Sequence, residues 1–158
     1  MLPKEEELYY RLALSFVPDV GIKRGMALLE HFGTAKDIFK APLKELKKTD
    51  GITEERARAF KNDELLRRAD EEMHFVQKND IRVLLIGDEA YPQRLTHCND
   101  APLLLYYKGN ANLNAAKIIA IVGTRKNTEY GHKLCETLIE GLQTQDDILI
   151  VTYHRYRT

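Results

Sequence analysis

The sequence predicts an α/β protein in which a helical N-terminal half is followed by a parallel sheet. Apolar residues recur at helical spacing as far as about residue 78, and short apolar runs bounded by glycine, proline or aspartate replace that spacing from residue 81 onward. The last two of these runs flank another helical pattern, which gives the order strand, helix, strand. We therefore expect two domains, a helical module over 1–78 and a sheet domain over 79–158.

The first elements of the helical module follow from apolar spacing and from residues that begin or end helices. The first helix carries an apolar face from Leu8 to Phe16 and ends before Pro18. Gly33 is a natural C-terminal cap for the second helix. Thr34 then begins a third helix with a variant of the capping box.

The rest of the module is predicted to hold one short helix and one long helix. Pro42 suits the first turn of the short helix. Thr53 can cap the long helix, which carries Ala69 and Val76 on one face and ends near Asn79.

A turn followed by a helix occurs twice in this module, in "VPDVGIKRGMALLEHFG" and in "KKTDGITEERARAF". Each copy places a glycine, Gly21 or Gly51, just before its helix, and the pair resembles SAM-like and helix-hairpin-helix modules. Such hairpins bind DNA when their backbone approaches a phosphate, so Lys23 and Arg24 are possible secondary DNA contacts. The two glutamates of the second copy favour the alternative, in which both glycines only turn the chain.

Four short apolar runs define the sheet domain: "IRVLLIG", "PLLLYYKG", "KIIAIVG" and "DDILIVT". They are too short for helices and rich in branched or aromatic residues, so we expect buried strands. Residues 127–143 separate the last two runs and have the apolar spacing of a helix. This βαβ order predicts a parallel sheet covered on both faces, so the second domain is Rossmann-like. Tyr130 is expected to pack rather than to stack on a base.

The candidate site is the turn after the third run, in "VGTRKNTEYG". Ligands of parallel α/β sheets bind beyond the carboxyl ends of the strands, where a loop leads into a helix N-terminus. Arg125 can hold a phosphate bidentately, and neighbouring backbone amides, a hydroxyl and a lysine can assist it. Between Lys117 and Lys133 the cations outnumber the one anion, and Lys133 is a further possible DNA contact. The residues predicted to bind phosphate are Gly123, Thr124, Arg125, Lys126 and Asn127.

Composition excludes several classes of protein. The net charge is zero, with 24 cationic and 24 anionic side chains, and 44% of the residues are apolar, as in ordinary globular proteins. No apolar run is long enough to span a membrane, and the acidic N-terminus is unlike a secretory signal, so we expect a cytoplasmic protein. Cys98 and Cys135 are far apart in the sequence and are expected to be free thiols.

The sequence lacks the motifs of common enzymes and cofactor sites. The loop after Gly123 matches neither G-x-G-x-x-G nor the Walker loop, so a dinucleotide is disfavoured and we expect no cofactor. The five histidines lack the spacing of a metal site, and no G-x-S-x-G elbow is present. We therefore expect neither a metal site nor an enzymatic activity.

The order of these segments resembles the DNA-processing protein A family, known as DprA or Smf. The resemblance rests on the helical N-terminal module, on "YPQRL" with "APLLLYYKGN", and on "IAIVGTRKNTEYG", and it covers nearly the whole chain. It implies a protein that binds single-stranded DNA and loads a RecA-type recombinase during natural transformation. It also implies that Arg125, with Gly123 and Thr124 beside it, contacts a DNA phosphate.

The sequence departs from the family pattern after the fourth run. The family continues with a glycine-rich segment that leads into the rest of its Rossmann domain, whereas this chain continues with "TYHRYRT". We expect an incomplete, truncated sheet whose last strand exposes its apolar face. Self-association through that strand is then expected, without the family's own dimer surface.

Two other functions stay open on the sequence alone. One is a Rossmann-like enzyme that acts on a nucleotide phosphate, because related folds use the same loop for ribose phosphates. The other is a helical module that binds protein partners, with the second half as a remnant. Nucleotide cleavage would favour the enzyme, whereas salt-sensitive retention of oligonucleotides would favour DNA binding.

Overall fold

The structure is a computed structural model, and it describes residues 3–123 and 128–153 of the 158-residue chain. The chain divides into two compact units, 1–109 and 110–158. We call the first the helical unit and the second the βαβ unit. None of the helices within the described ranges combines the length and the apolar character that a membrane crossing requires.

The helical unit is built from short and medium-length helices joined by tight turns. Its described residues form α1 (Pro3–Ser15), α2 (Ile22–Phe32), α3 (Ala35–Lys40), α4 (Leu43–Leu46), α5 (Glu54–Ala59) and α6 (Asp63–Lys78).

The core of this unit is made by side chains at helical spacing on several of these helices. Leu12 of α1, Leu28 of α2 and Ile38 of α3 are fully buried, and α1 packs against both α3 and α6. Burying one such side chain contributes roughly 1.5–3 kcal/mol. The helical spacing that predicts these elements is therefore also what forms the core.

The predicted caps between α2 and α3 are confirmed. Gly33 ends α2 with φ of 82°, a conformation that favours glycine, and its amide donates to the Leu29 carbonyl at 2.8 Å. Thr34 accepts a hydrogen bond from the Asp37 amide at 3.1 Å, and its hydroxyl donates to the Asp37 carboxylate at 2.6 Å. Thr34 is therefore the N-cap as predicted, but the reciprocal bond of Asp37 is made to the Thr34 hydroxyl and not to its amide, as a capping box would require.

The prediction of one long helix after Thr53 is wrong. Thr53 does cap a helix, but α5 ends at Ala59, and Asn62 begins α6 by accepting a hydrogen bond from the Glu64 amide at 3.0 Å. The chain leaves the helix at Asn62 because an asparagine side chain hydrogen-bonds nearby backbone amides. This favours a helix N-cap over a position inside a helix. The apolar face of α6 and its end before Asn79 are as predicted.

Two strands complete the helical unit. β1 (Arg82–Leu85) pairs antiparallel with β2 (Leu104–Tyr107), and a short 3-10 helix (Gln93–His97) lies between them in the sequence. Leu104 is buried in the same core as the helices, and Val83 packs against that core.

This packing differs from the sequence-based boundary, which begins the sheet domain at residue 79. The first two strands form their own antiparallel pair and bury Leu104 among the helices, so the compact unit continues to Gly109. Tyr91 fixes the connection between the strands, because it is fully buried and its hydroxyl donates to the Pro102 carbonyl at 2.8 Å.

The βαβ unit consists of β3 (Lys117–Ile121), α7 (Glu129–Leu142) and β4 (Ile148–Thr152). β3 and β4 are parallel, with Lys117 opposite Ile148 and Ile121 opposite Thr152. The predicted α/β class is therefore confirmed, with the helical module first and a parallel βαβ unit second.

The strands of the βαβ unit are less covered than the sequence predicts. Ile150 is 37% exposed and Val151 is 43% exposed, and α7 contains no buried residue. The expectation that both faces of the sheet are covered is wrong in this structure, because α7 is the one helix described in this unit.

Candidate nucleic-acid interface

The predicted phosphate site lies in the loop between β3 and α7. β3 ends at Ile121, and α7 begins at Glu129. Thr128 is the N-cap of α7, because its side-chain oxygen accepts a hydrogen bond of 3.1 Å from the Gly131 amide. The helix therefore begins two residues later than the sequence pattern suggests.

Four of the five residues predicted to bind phosphate lie outside the described residues: Thr124, Arg125, Lys126 and Asn127. Gly123 is described, and an added Cβ there would meet none of the described atoms within 4 Å. Its φ is also outside the left-handed region. The described part of the structure therefore gives no steric reason why this position must be glycine.

The first turn of α7 has backbone amides that can bind an anion. The amides of Gly131 and His132 donate to the Thr128 side chain and carbonyl at 3.1 and 3.0 Å. The amides of Glu129 and Tyr130 make no hydrogen bond within the described ranges. Unpaired amides and the helix dipole together favour an anion at such an end, although the carboxylate of Glu129 competes for the same position.

Two side chains of α7 near the loop are accessible to a ligand. Lys133 is exposed and has no carboxylate within 4.0 Å among the residues described, so its charge is available to a phosphate. Tyr130 is 76% exposed. The prediction that Tyr130 packs is therefore wrong in this structure, and its ring is open to solvent.

Lys117 does not belong to the cationic patch around the loop. It begins β3, whereas the loop follows the other end of that strand, about 13 Å away at roughly 3.3 Å per residue. That separation exceeds the Debye length of about 8 Å in physiological salt. Its ammonium group instead donates to Gln145 Oε1 at 3.5 Å.

The two cations of the first hairpin have different environments. Lys23 is exposed. Arg24 is half-buried and donates to two backbone carbonyls, from Nε to Gly51 at 3.2 Å and from Nη1 to Asp19 at 3.0 Å. Arg24 therefore links the two hairpins as well as carrying a charge.

Sequence reasoning missed Arg56 as a member of this group. Its Nη1 donates to the same Gly51 carbonyl at 3.4 Å. Glu54 and Glu55 precede Arg56, so the sequence around it does not suggest a cationic site. No motif connects Arg56 with Arg24 either, because only the fold brings the two hairpins together.

The described ranges hold no group of three or more histidine, cysteine, aspartate or glutamate side chains that could bind a metal ion. Cys98 and Cys135 are both free and exposed, as the sequence predicts.

Two protein families match successive parts of the chain. Residues 11–60 match a family described as SAM-like helix-hairpin-helix tandem, and residues 82–152 match a family described as DNA recombination-mediator protein A. The first match covers the two hairpins, and the second runs from β1 to the end of β4 and contains the sequence of the candidate loop.

Curated relatives agree with these matches. DNA processing protein DprA of Streptococcus pneumoniae is 42% identical over 60 residues, which are 38% of this chain and 21% of that protein. Protein Smf of Borreliella burgdorferi is 35% identical over 51 residues, 32% of this chain and 16% of that protein. UvrABC system protein C of Zymomonas mobilis is 51% identical over 45 residues, 28% of this chain and 7% of that protein.

These matches confirm the resemblance to the DNA-processing protein A (DprA/Smf) family that the motifs show. Each matched segment spans about a fifth or less of the relative's length. No solved structure matches the chain.

Proposed function

We propose that this chain has a non-enzymatic DNA-processing role and binds single-stranded DNA through the loop 123–127. The observation that carries the proposal is the match of residues 82–152 to the family described as DNA recombination-mediator protein A, because that match contains the loop. The relative from Streptococcus pneumoniae is a DNA processing protein, which supports the same role.

Each residue of the loop has a distinct proposed role. Arg125 holds a phosphate bidentately, Thr124 donates its hydroxyl, and Lys126 adds a point charge. Gly123 lets the DNA strand approach the backbone closely, and an added Cβ there would meet none of the described atoms within 4 Å. The exposed Lys133 supplies a second, weaker phosphate contact.

The family resemblance extends the proposal to partners. We propose that the protein assists the loading of a RecA-type recombinase during natural transformation, in the cytoplasm of competent cells. Phosphate binding by a short loop is independent of base sequence, which suits a protein that must act on any incoming strand.

A salt titration of oligonucleotide binding tests the DNA proposal. We expect the full chain to bind a single strand more tightly than the duplex of the same sequence, with an affinity that falls as salt increases. Tighter binding of the duplex, or binding that does not respond to salt, would contradict the proposal. Hydrolysis of nucleotides on incubation with the chain would favour the enzyme alternative instead.

We also propose that copies of the chain associate through the exposed apolar side chains of β4. Ile150 and Val151 lie on opposite faces of the strand and are both partly exposed, and covering apolar surface contributes roughly 25 cal/mol per Å². Light scattering should show a mass that rises with protein concentration and that returns to the monomer value in Val151→Glu. A mass that stays monomeric at every concentration would show that β4 is not an association surface.

A further inference from the structure

Exposed apolar side chains lie at the edge of the βαβ unit where its two strands end. β3 and β4 are parallel, and Ile121 at the end of β3 lies opposite Thr152 at the end of β4. Neighbouring strands are about 4.8 Å apart, so the next residues, Val122 and Tyr153, start side by side at this edge. Val122 is 79% exposed and Tyr153 is 73% exposed. The edge therefore presents apolar surface to solvent.

Tyr130 adds a second aromatic ring close to this edge. It lies in the first turn of α7, three residues after the loop 123–127 ends, so at most about 11 Å of Cα trace separates it from the loop. Tyr130 is 76% exposed. Within the described ranges, neither Tyr130 nor Tyr153 contacts another aromatic ring, and neither hydroxyl forms a hydrogen bond. Both rings are thus accessible to a ligand.

The sequence around this edge is cationic. Residues 122–133 contain three cations, Arg125, Lys126 and Lys133, and one anion, Glu129. The segment 153–158 contains two arginines and no acidic residue. Cations combined with accessible aromatic rings match a polyanion that also carries flat apolar groups, and single-stranded nucleic acid is such a polyanion.

A second copy of the chain matches this edge less well. Two copies that met through the same edge would bring their cations together, and like charges repel. A nucleic-acid strand instead brings negative charge to these cations and bases to the rings. The charge of the edge therefore favours a nucleic acid as the ligand.

Aromatic rings beside a phosphate site distinguish single strands from duplexes. Inside a duplex both faces of each base are covered by neighbouring bases, whereas the bases of a single strand can separate and stack on aromatic side chains. Replacing such a side chain by alanine weakens binding by about 5- to 150-fold for each stacked base. Phosphate contacts position a strand but do not read its bases, so the rings supply the selection for unpaired bases.

We propose that Tyr130 and Tyr153 form a base-stacking platform that makes this edge specific for unpaired strands. The inference rests on the proposed function, because the phosphate contacts of the loop 123–127 bring the strand to the rings. Lys133 is three residues after Tyr130 on α7, so it lies beside that ring and holds a neighbouring phosphate. The platform reverses the sequence-based expectation for Tyr130, and Tyr153 lies just outside the range 82–152 that matches the family.

Fluorescence anisotropy with a labelled oligothymidine, alone and as a duplex with its complement, tests the platform in the full chain. Tyr130→Ala and Tyr153→Ala should each lower the affinity for the single strand about fivefold or more, and that for the duplex by less than about twofold. The corresponding phenylalanine variants keep the ring and should retain the parent affinity. Phe75→Ala is the matched control, because Phe75 is an aromatic residue of the helical unit that is 53% exposed, and it should change neither affinity.

A strand without bases separates stacking from a structural effect of the substitutions. An abasic oligonucleotide of the same length should bind the parent chain more weakly than oligothymidine does. Tyr130→Ala should not weaken binding of the abasic strand further, since the ring then has no base to contact. Equal losses of affinity for both strands would overturn the platform and show that the substitution disturbs the loop.

Photo-cross-linking of the unmodified chain covers the case in which a variant loses stability. A single strand that contains 5-iodouracil should form adducts at Tyr130 and Tyr153 on irradiation, and mass spectrometry of the digested chain locates them. Adducts at neither tyrosine would overturn the platform.

These measurements separate failure of the platform from failure of the DNA proposal. Parent affinity in both alanine variants, with weaker binding in Arg125→Ala, would remove the platform and leave the phosphate loop. Absence of salt-sensitive binding by the parent chain would overturn both proposals. A molar mass by light scattering that changes in the alanine variants, together with parent affinity for the strand, would assign this edge to contacts between copies.

Discussion

The helical unit and the βαβ unit bury their apolar side chains to very different degrees. Leu12, Leu28 and Ile38 are fully buried in the helical unit, whereas α7 has no buried residue and Ile150 and Val151 of the βαβ unit are partly exposed. The helical unit therefore supplies most of the packing free energy in the described residues. The candidate loop lies in the less packed unit, which agrees with the tendency of binding loops to occur in regions of low local stability.

The largest effect should come from the core of the helical unit. Leu12→Ala removes a fully buried side chain and should lower the free energy of unfolding by about 2–5 kcal/mol. Ile150→Ala is the matched change in the βαβ unit and should cost less than about 1 kcal/mol, because the residue is already 37% exposed. Urea unfolding followed by circular dichroism measures both. Equal losses would show that the two units are packed to the same degree in solution.

Arg125→Ala should change DNA binding without changing stability. The variant should bind single strands of every sequence more weakly, with a salt slope reduced by about 0.7, the value for one counterion on a single strand. Arg125→Lys should recover part of the loss, since a point charge cannot replace the bidentate fork. Arg67→Ala, whose arginine pairs with Glu64 and Glu71 in the helical unit, is the control. An unchanged slope in Arg125→Ala would remove Arg125 from the site.

Two glycines should respond differently to the same substitution. Gly33→Ala forces an alanine into φ of +82° and should cost about 1–2 kcal/mol, although an added Cβ meets nothing within 4 Å. At Gly123 the φ angle is outside the left-handed region, and an added Cβ would contact none of the described atoms. Gly123→Ala should therefore change the free energy of unfolding by less than about 0.5 kcal/mol. Its effect should appear in DNA binding instead. Thermal unfolding compares the two variants, and a large loss of stability in Gly123→Ala would show that this glycine serves the fold.

Local signals in the sequence were sufficient for the boundary between α2 and α3. Gly33 and Thr34 act within a few residues of themselves, so their caps could be predicted without knowing the fold. The division between α5 and α6 was missed because Asn62 competes with a continuing apolar pattern. Local patterns thus predict where a helix exists better than where it ends.

Long-range contacts in the same unit could not be predicted. The assignment of β2 to the helical unit depends on Leu104 entering a core formed by residues far away in the sequence. Arg24 and Arg56 meet at Gly51 only because the two hairpins fold together. The motif after β3 is part of the resemblance to the family, but the roles of Thr124 to Asn127 remain predictions because those residues lie outside the described ranges.

The last prediction concerns Tyr106 of β2, which is only partly buried, with 46% of its surface exposed. Burial, followed by the adjacent carboxylate of Glu72, raises the pKa of Tyr106 from 10.0 to about 12. In the unfolded chain the phenol ionises at about pH 10, so neutral Tyr106 contributes stability that is fully present below that pH. The contribution decreases as the pH rises from about 10 to about 12, because ionisation is then more favourable in the unfolded chain.

Ultraviolet titration of the folded chain measures this difference directly. A component ionising at about pH 12 should be present in the parent chain and absent from Tyr106→Phe. Between pH 10 and 12 the free energy of unfolding should decrease more in the parent than in Tyr106→Phe, because Tyr106 ionises more readily in the unfolded chain. Glu72→Gln removes the carboxylate but keeps the burial, so it should lower the pKa only in part, since burial is the larger cause. Full return of the pKa to about 10 in Glu72→Gln would instead make the carboxylate the main cause.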